Sequence, residues 1–288
     1  MTIYLNHPTY QFRVDLESYP SGEWRWSEPN QDLKDFESMS IYTTTIEEVI
    51  QGLFVADSLI SEDLDKKRSI YIPFLPGARQ DRIMEGEYAD KLMTLTSVLH
   101  AIHDRQFNCL YTLDVHNPEA EALKYWATGY SRMSFVNRDM GYIQRIIKPL
   151  YEGQQSYEWD AIIAPDKGAT DRAVLAAEAL GVKKVIQVTK VRDPETGKLL
   201  SFDVGDVPQG NYLIVDDICD GGGTFIGIAE EIQRKSPVTN LDLFVTHGIF
   251  SQGVTQLGTK FNNIYTTNST SKFDGHTLPS FVHVFDLF

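Results

Sequence analysis

The sequence predicts an α/β protein of two tandem domains, each a mostly parallel sheet flanked by helices. Three observations predict it. Short apolar runs with β-branched residues, such as Leu213 to Val215, carry the mark of strands buried on both faces. Such runs alternate with helical stretches through most of the chain, and that rhythm implies parallel strands covered by helices. A polar segment with Gly and Pro, from Lys148 to Ser156, divides the 288 residues into halves of similar size and α/β character. Domains of 1–148 and 149–288 are therefore expected, without a clear internal repeat.

The elements follow in order. Met1 to Asn6 reads as a strand without a basic region before it. Tyr10 to Val14 and Glu23 to Trp26 alternate as strands exposed on one face. Ser69 to Phe74 is a strand before a helical stretch from Tyr88 to His103. Cys109 to Leu113 is the next strand, and a helix near Glu119 to Thr128 follows. Asp160 to Ala164 leads into a helix from Arg172 to Leu180, which Gly181 closes. Val185 to Val188, the Leu213 run, Leu241 to Val245 and Asn263 to Thr266 continue the strands, and Phe225 to Arg234 is a helix.

Composition narrows the function. The net charge of −14 disfavours general binding to nucleic acid or to an anionic membrane, so an anionic substrate needs a local basic site. Cys109 and Cys219 are the two cysteines, and they form neither a disulfide framework nor a zinc spacing. No apolar stretch approaches the ~20 residues that span a bilayer. A reducing cytoplasm fits best.

The run from Tyr212 to Thr224 carries the most chemistry. Asp216 and Asp217 end an apolar strand, and Asp220, Gly221, Gly222, Gly223 and Thr224 lead into a helix. A glycine loop there lets backbone N–H groups close around a phosphate, helped by the positive helix end. Adjacent acids accept from sugar hydroxyls, so the run suggests a ribose-5-phosphate site at the carboxyl end of a strand. It also reads as a strand-to-helix turn with solvated acids.

The run resembles the phosphoribosyl-diphosphate motif of the type I phosphoribosyltransferase fold, which includes phosphoribosyltransferases and ribose-phosphate pyrophosphokinase. The resemblance implies that Asp216 and Asp217 take the ribose hydroxyls and that Asp220 to Thr224 take the phosphate. Further segments resemble the pyrophosphokinase branch, from Tyr19 to the end and in the family's order. Arg79, Gln80, Asp81 and Arg82 match a signature that grips ATP and that phosphoribosyltransferases lack; Leu75 and Gly77 depart from it. By itself that stretch is a charged loop whose two arginines suit phosphate.

His116 resembles the family histidine that meets the ATP phosphates and magnesium, with Asp114 placed to orient it. Alone, His116 reads as a hydrogen-bonded residue at a strand end. Asp166 and Gly168 match a loop that contacts the transferred diphosphate and its metal, with Ala169 in place of a second glycine. The plain reading of that loop is a helix start capped by Thr170 or Asp171. Lys190 and Arg192 match cations at the root of a flexible loop that closes over ATP. Two cations there would stabilise charge on the transferred phosphates. In isolation the segment is a polar hairpin or loop. The segment with His247 also resembles the family and reads mainly as structural.

Tyr19 and Glu23 resemble residues that reach a neighbouring subunit's adenine, although Ser21 replaces an Asp. A homo-oligomer built on a dimer is implied. The family usually continues into a further C-terminal helix, so its allosteric and oligomer contacts are expected to differ here.

The resemblance implies an ATP-binding first domain and a ribose-phosphate-binding second domain. It implies transfer of the β,γ-diphosphate of ATP, with Mg²⁺ held by His116 and Asp166, to the C1 hydroxyl of ribose 5-phosphate. Gly221 and Gly222 stand where the family has bulkier or hydroxyl residues, and an open loop admits a substituted phosphate. ADP-ribose is then an alternative acceptor, whose product feeds NAD salvage. A non-catalytic regulator would be expected to lose Lys190, Arg192 or His116. A base phosphoribosyltransferase has no use for Arg79 to Arg82.

Overall fold

The computed structural model describes residues 1–26, 36–59, 68–80, 94–105, 107–120, 123, 133–151, 159–193, 196, 199–238, 240–270, 273 and 277–286. It divides into two compact units. The first is Met1–Arg138 with Ser269–Ser271, and the second is Asp139–Asn268 with Lys272–Phe288. The division falls between Arg138 and Asp139, ahead of the break read at Lys148. There the chain is helical: α3 (Ile143–Tyr151) runs through Pro149 and belongs to the second unit. Residues 152–158 of that polar segment lie outside the described residues.

In the first unit a six-stranded sheet has the order β2-β1-β5-β6-β7-β8. The strands are β1 (Thr2–His7), β2 (Tyr10–Val14), β5 (Ser38–Tyr42), β6 (Arg68–Tyr71), β7 (Phe107–Leu113) and β8 (Ser134–Arg138). β3 (Leu16–Ser18) and β4 (Trp24–Trp26) form a separate antiparallel ribbon. β1 pairs antiparallel with β2 and β5, and β5 through β8 pair in parallel. Helix α1 (Ile46–Ser58) starts where Thr45 accepts from the Glu48 N–H, which satisfies one free donor of the first turn. α2 (Thr94–His103) buries Leu95, Val98, Leu99 and Ile102, the i, i+3, i+4, i+7 stripe of an amphipathic helix. With Val49 and Leu53 of α1 these residues form the core. Most of the helix expected at Glu119 to Thr128, and the start of the one expected at Tyr88, lie outside the described residues.

The second unit holds a six-stranded sheet of order β10-β9-β13-β14-β15-β16, parallel throughout. Its strands are β9 (Ala161–Ala164), β10 (Val185–Gln187), β13 (Asn211–Cys219), β14 (Asn240–Gly248), β15 (Ile264–Thr267) and β16 (Val282–Phe285). β9, β14 and β15 are buried along their whole length, as a covered parallel sheet requires; β9 is wholly apolar, whereas β14 and β15 also bury polar side chains such as Asp242, Thr246 and Thr266. Helix α4 (Thr170–Leu180) packs on β9, β10 and β13 and stops at Gly181 in the left-handed conformation. α5 (Gly223–Lys235) follows β13, and the short α6 (Thr255–Gly258) follows β14. β11 (Thr189–Arg192) and β12 (Leu199–Asp203) make an antiparallel hairpin between β10 and β13.

Candidate functional site

The order of the second sheet decides where chemistry gathers. The chain goes from β9 outward to β10, then returns to the other side of β9 as β13. Such a reversal opens a crevice at the carboxyl ends of the two central strands. The turn after β9 and the loop after β13 border it, and they carry Asp166 and Asp220 to Thr224.

Asp166 sits in extended backbone and accepts from the N–H groups of Gly168 and Ala169, at 2.9 and 3.3 Å. It caps a 3-10 turn, Lys167–Ala169, that runs directly into α4. This corrects the expected cap: neither Thr170 nor Asp171 serves, because Thr170 is already the first residue of α4. The Thr170 hydroxyl instead donates to Gln187 Oε1 at 2.9 Å. From β11 the Lys190 Nζ donates to Asp166 Oδ2 at 2.7 Å. Burial alone would raise the Asp166 carboxyl, but the Lys190 ammonium and the two N–H donors hold it below the usual range. Arg192 lies on the same strand, and only its backbone is among the described positions.

Asp216 and Asp217 fall in the last turns of pleat of β13, beyond the pairing with β9, which ends at Ile214↔Ile163. Asp217 is 2% exposed, and its N–H donates to Asp216 Oδ1 at 2.9 Å. The guanidinium of Arg172, from α4, stands 3.5 Å from Asp216 Oδ1 and 4.0 Å from Asp217 Oδ1. Burial first, and then the adjacent Asp217 charge, push the Asp216 carboxyl well above the usual range, against the pull of Arg172. Cys219 ends the same strand, and burial with the nearby Asp216 and Asp220 charges pushes its thiol up to about 12. It is therefore a neutral, packed side chain rather than a nucleophile.

The glycine loop separates into two kinds of position. Gly222 is the N-cap of α5 with φ +80°, and a Cβ there would crowd Leu257 at 3.1 Å. Only glycine fits that combination without strain. Gly221 and Gly223 differ, since a Cβ at Gly221 meets nothing nearer than Gln252 at 3.7 Å, and one at Gly223 meets nothing within 4 Å. Asp220, Gly221 and Gly223 are exposed and Thr224 is half-buried. On β14, His247 lies opposite Ile218 and is 2% exposed. Behind it the Tyr142 hydroxyl and Thr246 Oγ1 are 2.7 Å apart, and Thr267 donates to the Thr246 carbonyl at 2.7 Å.

The first unit presents its own edge. Beyond β6 the chain still runs along β7, with the Leu113 N–H donating to the Pro73 carbonyl at 3.0 Å. It then turns, and Arg79 and Gln80 are exposed, with the Gln80 N–H donating to Gly77 at 2.9 Å. Thr94 donates to the Gln80 side chain. Asp114 leaves β7 in the left-handed region at φ 39° and donates its N–H to Arg138 at 2.7 Å. That turn exposes His116. β6 and β7 are parallel neighbours, so Arg79, Gln80 and His116 stand at one sheet edge. Asp81 and Arg82 lie outside the described residues. Tyr19 and Glu23 form the turn between β3 and β4, where the Arg25 guanidinium lies 5.0 Å from the Tyr19 ring centre and Ser21 donates to Glu23 at 3.1 Å.

Reading the motifs alone missed Arg172. A signal was available: Arg172 is in phase with Ala173, Ala176 and Ala177, the face of α4 turned to the sheet. An arginine among alanines on a buried face needs an acidic partner.

Comparison with known proteins bears on the family and the fold. A phosphoribosyl transferase domain model matches residues 140–239. The ribose-phosphate pyrophosphokinase of Pyrococcus furiosus is 29% identical over 257 residues, 89% of this chain and 85% of that enzyme. The crystal structure of phosphoribosylpyrophosphate synthetase from Mycobacterium smegmatis superposes with a TM-score of 0.74 at 18% identity, covering 95% of this chain and 86% of that one, and it shares the fold. The ribose-phosphate pyrophosphokinase of Pyrococcus abyssi is 30% identical over 264 residues, 89% of this chain and 84% of its own. An identity sustained over so much of both sequences places this chain in the ribose-phosphate pyrophosphokinase family of transferases.

Proposed function

We propose that this chain is a Mg²⁺-ATP-dependent pyrophosphokinase whose first acceptor is ribose 5-phosphate. The observation that carries the reading is on β13: one strand delivers an acid pair suited to a diol and then a glycine loop opening a helix. The acid pair and the loop follow each other along the same strand-to-helix run, which supports one ribose 5-phosphate meeting both. The acceptor's C1 oxygen bonds to the β-phosphorus of ATP, the bond from that phosphorus to the oxygen bridging the α-phosphate breaks, and AMP leaves. The hydroxyl proton is lost. Positioning and charge neutralisation carry such a transfer.

In this reading Asp216 and Asp217 accept from the ribose hydroxyls, and Asp220, Gly221, Gly222, Gly223 and Thr224 receive the 5-phosphate. Asp166 and Gly168 meet the transferred diphosphate. Lys190 and Arg192 stabilise its growing charge, and their hairpin excludes water. In the first unit Arg79, Gln80, Asp81, Arg82 and His116 take ATP. Among the described residues no group of three or more His, Cys, Asp or Glu gathers as a metal cage. Mg²⁺ is bound mainly by substrate phosphates and one or two protein groups. Asp166 and His116 are the proposed protein contacts, and the ion's chemistry is neutralisation of phosphate charge. Tyr19, 47% exposed, and Glu23 are proposed to complete the adenine site of a neighbouring copy. Among the described residues no helix is long and apolar enough to cross a membrane.

The loop's packing favours a second acceptor. Of the two glycines read as open, Gly222 is not, being held by its φ and by Leu257, whereas Gly221 is required neither by backbone conformation nor by neighbours and so supports room for a substituted phosphate. ADP-ribose carries the same ribose 5-phosphate with AMP attached, and its second phosphate would extend there. Gly221→Thr should suppress use of ADP-ribose more than use of ribose 5-phosphate. Equal loss on both acceptors would assign the glycine to the turn alone. The parent reading is tested by incubation with ATP, Mg²⁺ and each acceptor, with mass analysis for AMP and the 1-diphosphate. Absence of AMP with both acceptors overturns it.

A further inference from the structure

We propose that Arg172 is a positioning residue for the acceptor: it holds Asp216 and Asp217 together as a receiver for two adjacent hydroxyls. This rests on the pyrophosphokinase reading and adds a residue to it. Arg172 is 9% exposed and projects from the sheet-facing side of α4. A guanidinium is costly to bury unless it is paired. Here it faces two carboxylates at 3.5 and 4.0 Å, one cation between two anions. A single guanidinium nitrogen, Nη1, approaches both oxygens, and the planar group on its long stem holds that nitrogen between them.

The geometry has a chemical consequence. An ionised carboxylate only accepts hydrogen bonds, whereas a protonated one gives up an acceptor site to become a donor. Two hydroxyl donors therefore call for both acids ionised. Side by side and buried, the acids oppose this, and Arg172 favours it. Arg172 also lies one turn beyond the Asp166 turn on a continuous helical path, so the diphosphate turn and the diol pair share one rigid support.

The other titratable groups near the pair are few. β9 carries none, and β14 carries His247 opposite Ile218 and, at its far end, Asp242. The 3-10 turn carries Lys167 after Asp166, which Lys190 of β11 pairs, α4 carries Asp171 and Glu178 on its exposed side, Cys219 ends β13 near the Asp216 charge, and Asp220 follows the strand. Among the described residues, Arg172 pairs with Asp216.

The test compares Arg172→Gln and Arg172→Lys with wild type in the ATP- and Mg²⁺-dependent assay, titrating each substrate over a range of pH. Arg172→Gln should raise the acceptor KM roughly tenfold or more, the scale of a lost charged hydrogen bond, and leave the ATP KM within about twofold. Its acidic limb of kcat/KM for the acceptor should move to higher pH, because Asp216 loses the charge that favours its ionised form. Arg172→Lys keeps the charge, so its acidic limb should stay near that of wild type while the acceptor KM still rises. If Arg172→Gln does not fold by circular dichroism, the KM split of Arg172→Lys decides alone. A folded variant with an unchanged acceptor KM, or one in which both KM values rise together, overturns the positioning role. Wild type inactive on every acceptor overturns instead the reading beneath it.

Discussion

Lys190 is held by Asp166 at 2.7 Å, so a proposed catalytic cation is paired with a proposed diphosphate contact. An incoming metal diphosphate would compete for Asp166 and free the ammonium for the phosphates. Replacing Lys190 or Arg192 with Ala should lower kcat by roughly two powers of ten or more, the scale for losing one preorganised donor, and change ATP affinity less. Single-turnover rates beside equilibrium ATP binding check this, and unchanged turnover in both variants removes them from the mechanism. Asp216 makes a second expectation. Its folded carboxyl lies above the usual range, so ionising it costs the folded state free energy that it does not cost the unfolded chain. Stability is then full below the unfolded value, about 4, and is lost as pH rises through the folded value. Asp216→Asn removes that penalty. The variant should melt higher than wild type at pH 8, and the difference should vanish near pH 4, while acceptor binding is lost. Calorimetry across pH reads the first effect and acceptor titration the second. A melting temperature lower than wild type at pH 8 would contradict the argument.

At the scale of elements, α5 and its glycine loop are the critical part. Gly222 has φ +80°, and a Cβ at that site would press on Leu257. Gly222→Ala should therefore cost about 1–2 kcal/mol or more, the left-handed penalty with some crowding added. Gly223 opens the helix with free space around it, so Gly223→Ala should stabilise by up to about 1 kcal/mol on helix propensity. Urea unfolding of the two variants separates them, and equal effects would mean that conformation does not distinguish these glycines. The loop was legible as a phosphate cradle because its residues are consecutive. Which of its glycines the fold needs was not, since that depends on φ and on Leu257, a residue of α6 remote in sequence.

At the scale of the whole molecule, Tyr19 and Glu23 bear on assembly. If they complete a neighbour's site, Glu23→Ala and His116→Ala chains, each inactive alone, should regain some activity when mixed, since a mixed pair assembles one intact site. Rescue measured after subunit exchange checks this. A fully active monomer in sedimentation at assay concentration would refute the shared site. The present contacts of Tyr19 and Glu23 are local: Arg25 covers the Tyr19 ring and Ser21 donates to Glu23, so these partners would have to be exchanged for adenine.

The sequence by itself determined the α/β class, most of the central strands and the places where chemistry leaves them, but it did not mark β5, β8, β16 or helix α1. Apolar runs such as Ala161 to Ala164 and Leu213 to Val215 must be buried, but Asp216 and Asp217 do not end their strand: β13 continues through them, paired with β14 as far as Cys219. Local signals of this kind survive folding because they are set within a few residues. Tertiary structure alone decided the rest. The unit boundary moved to Arg138, because a helix through Pro149 packs with the second unit rather than ending at a linker. Asp166 became the cap in place of Thr170 or Asp171, because a 3-10 turn precedes α4. Arg172 met Asp216 and Asp217 across 44 positions of sequence, a span over which only the packing of α4 on β13 brings opposite charges together.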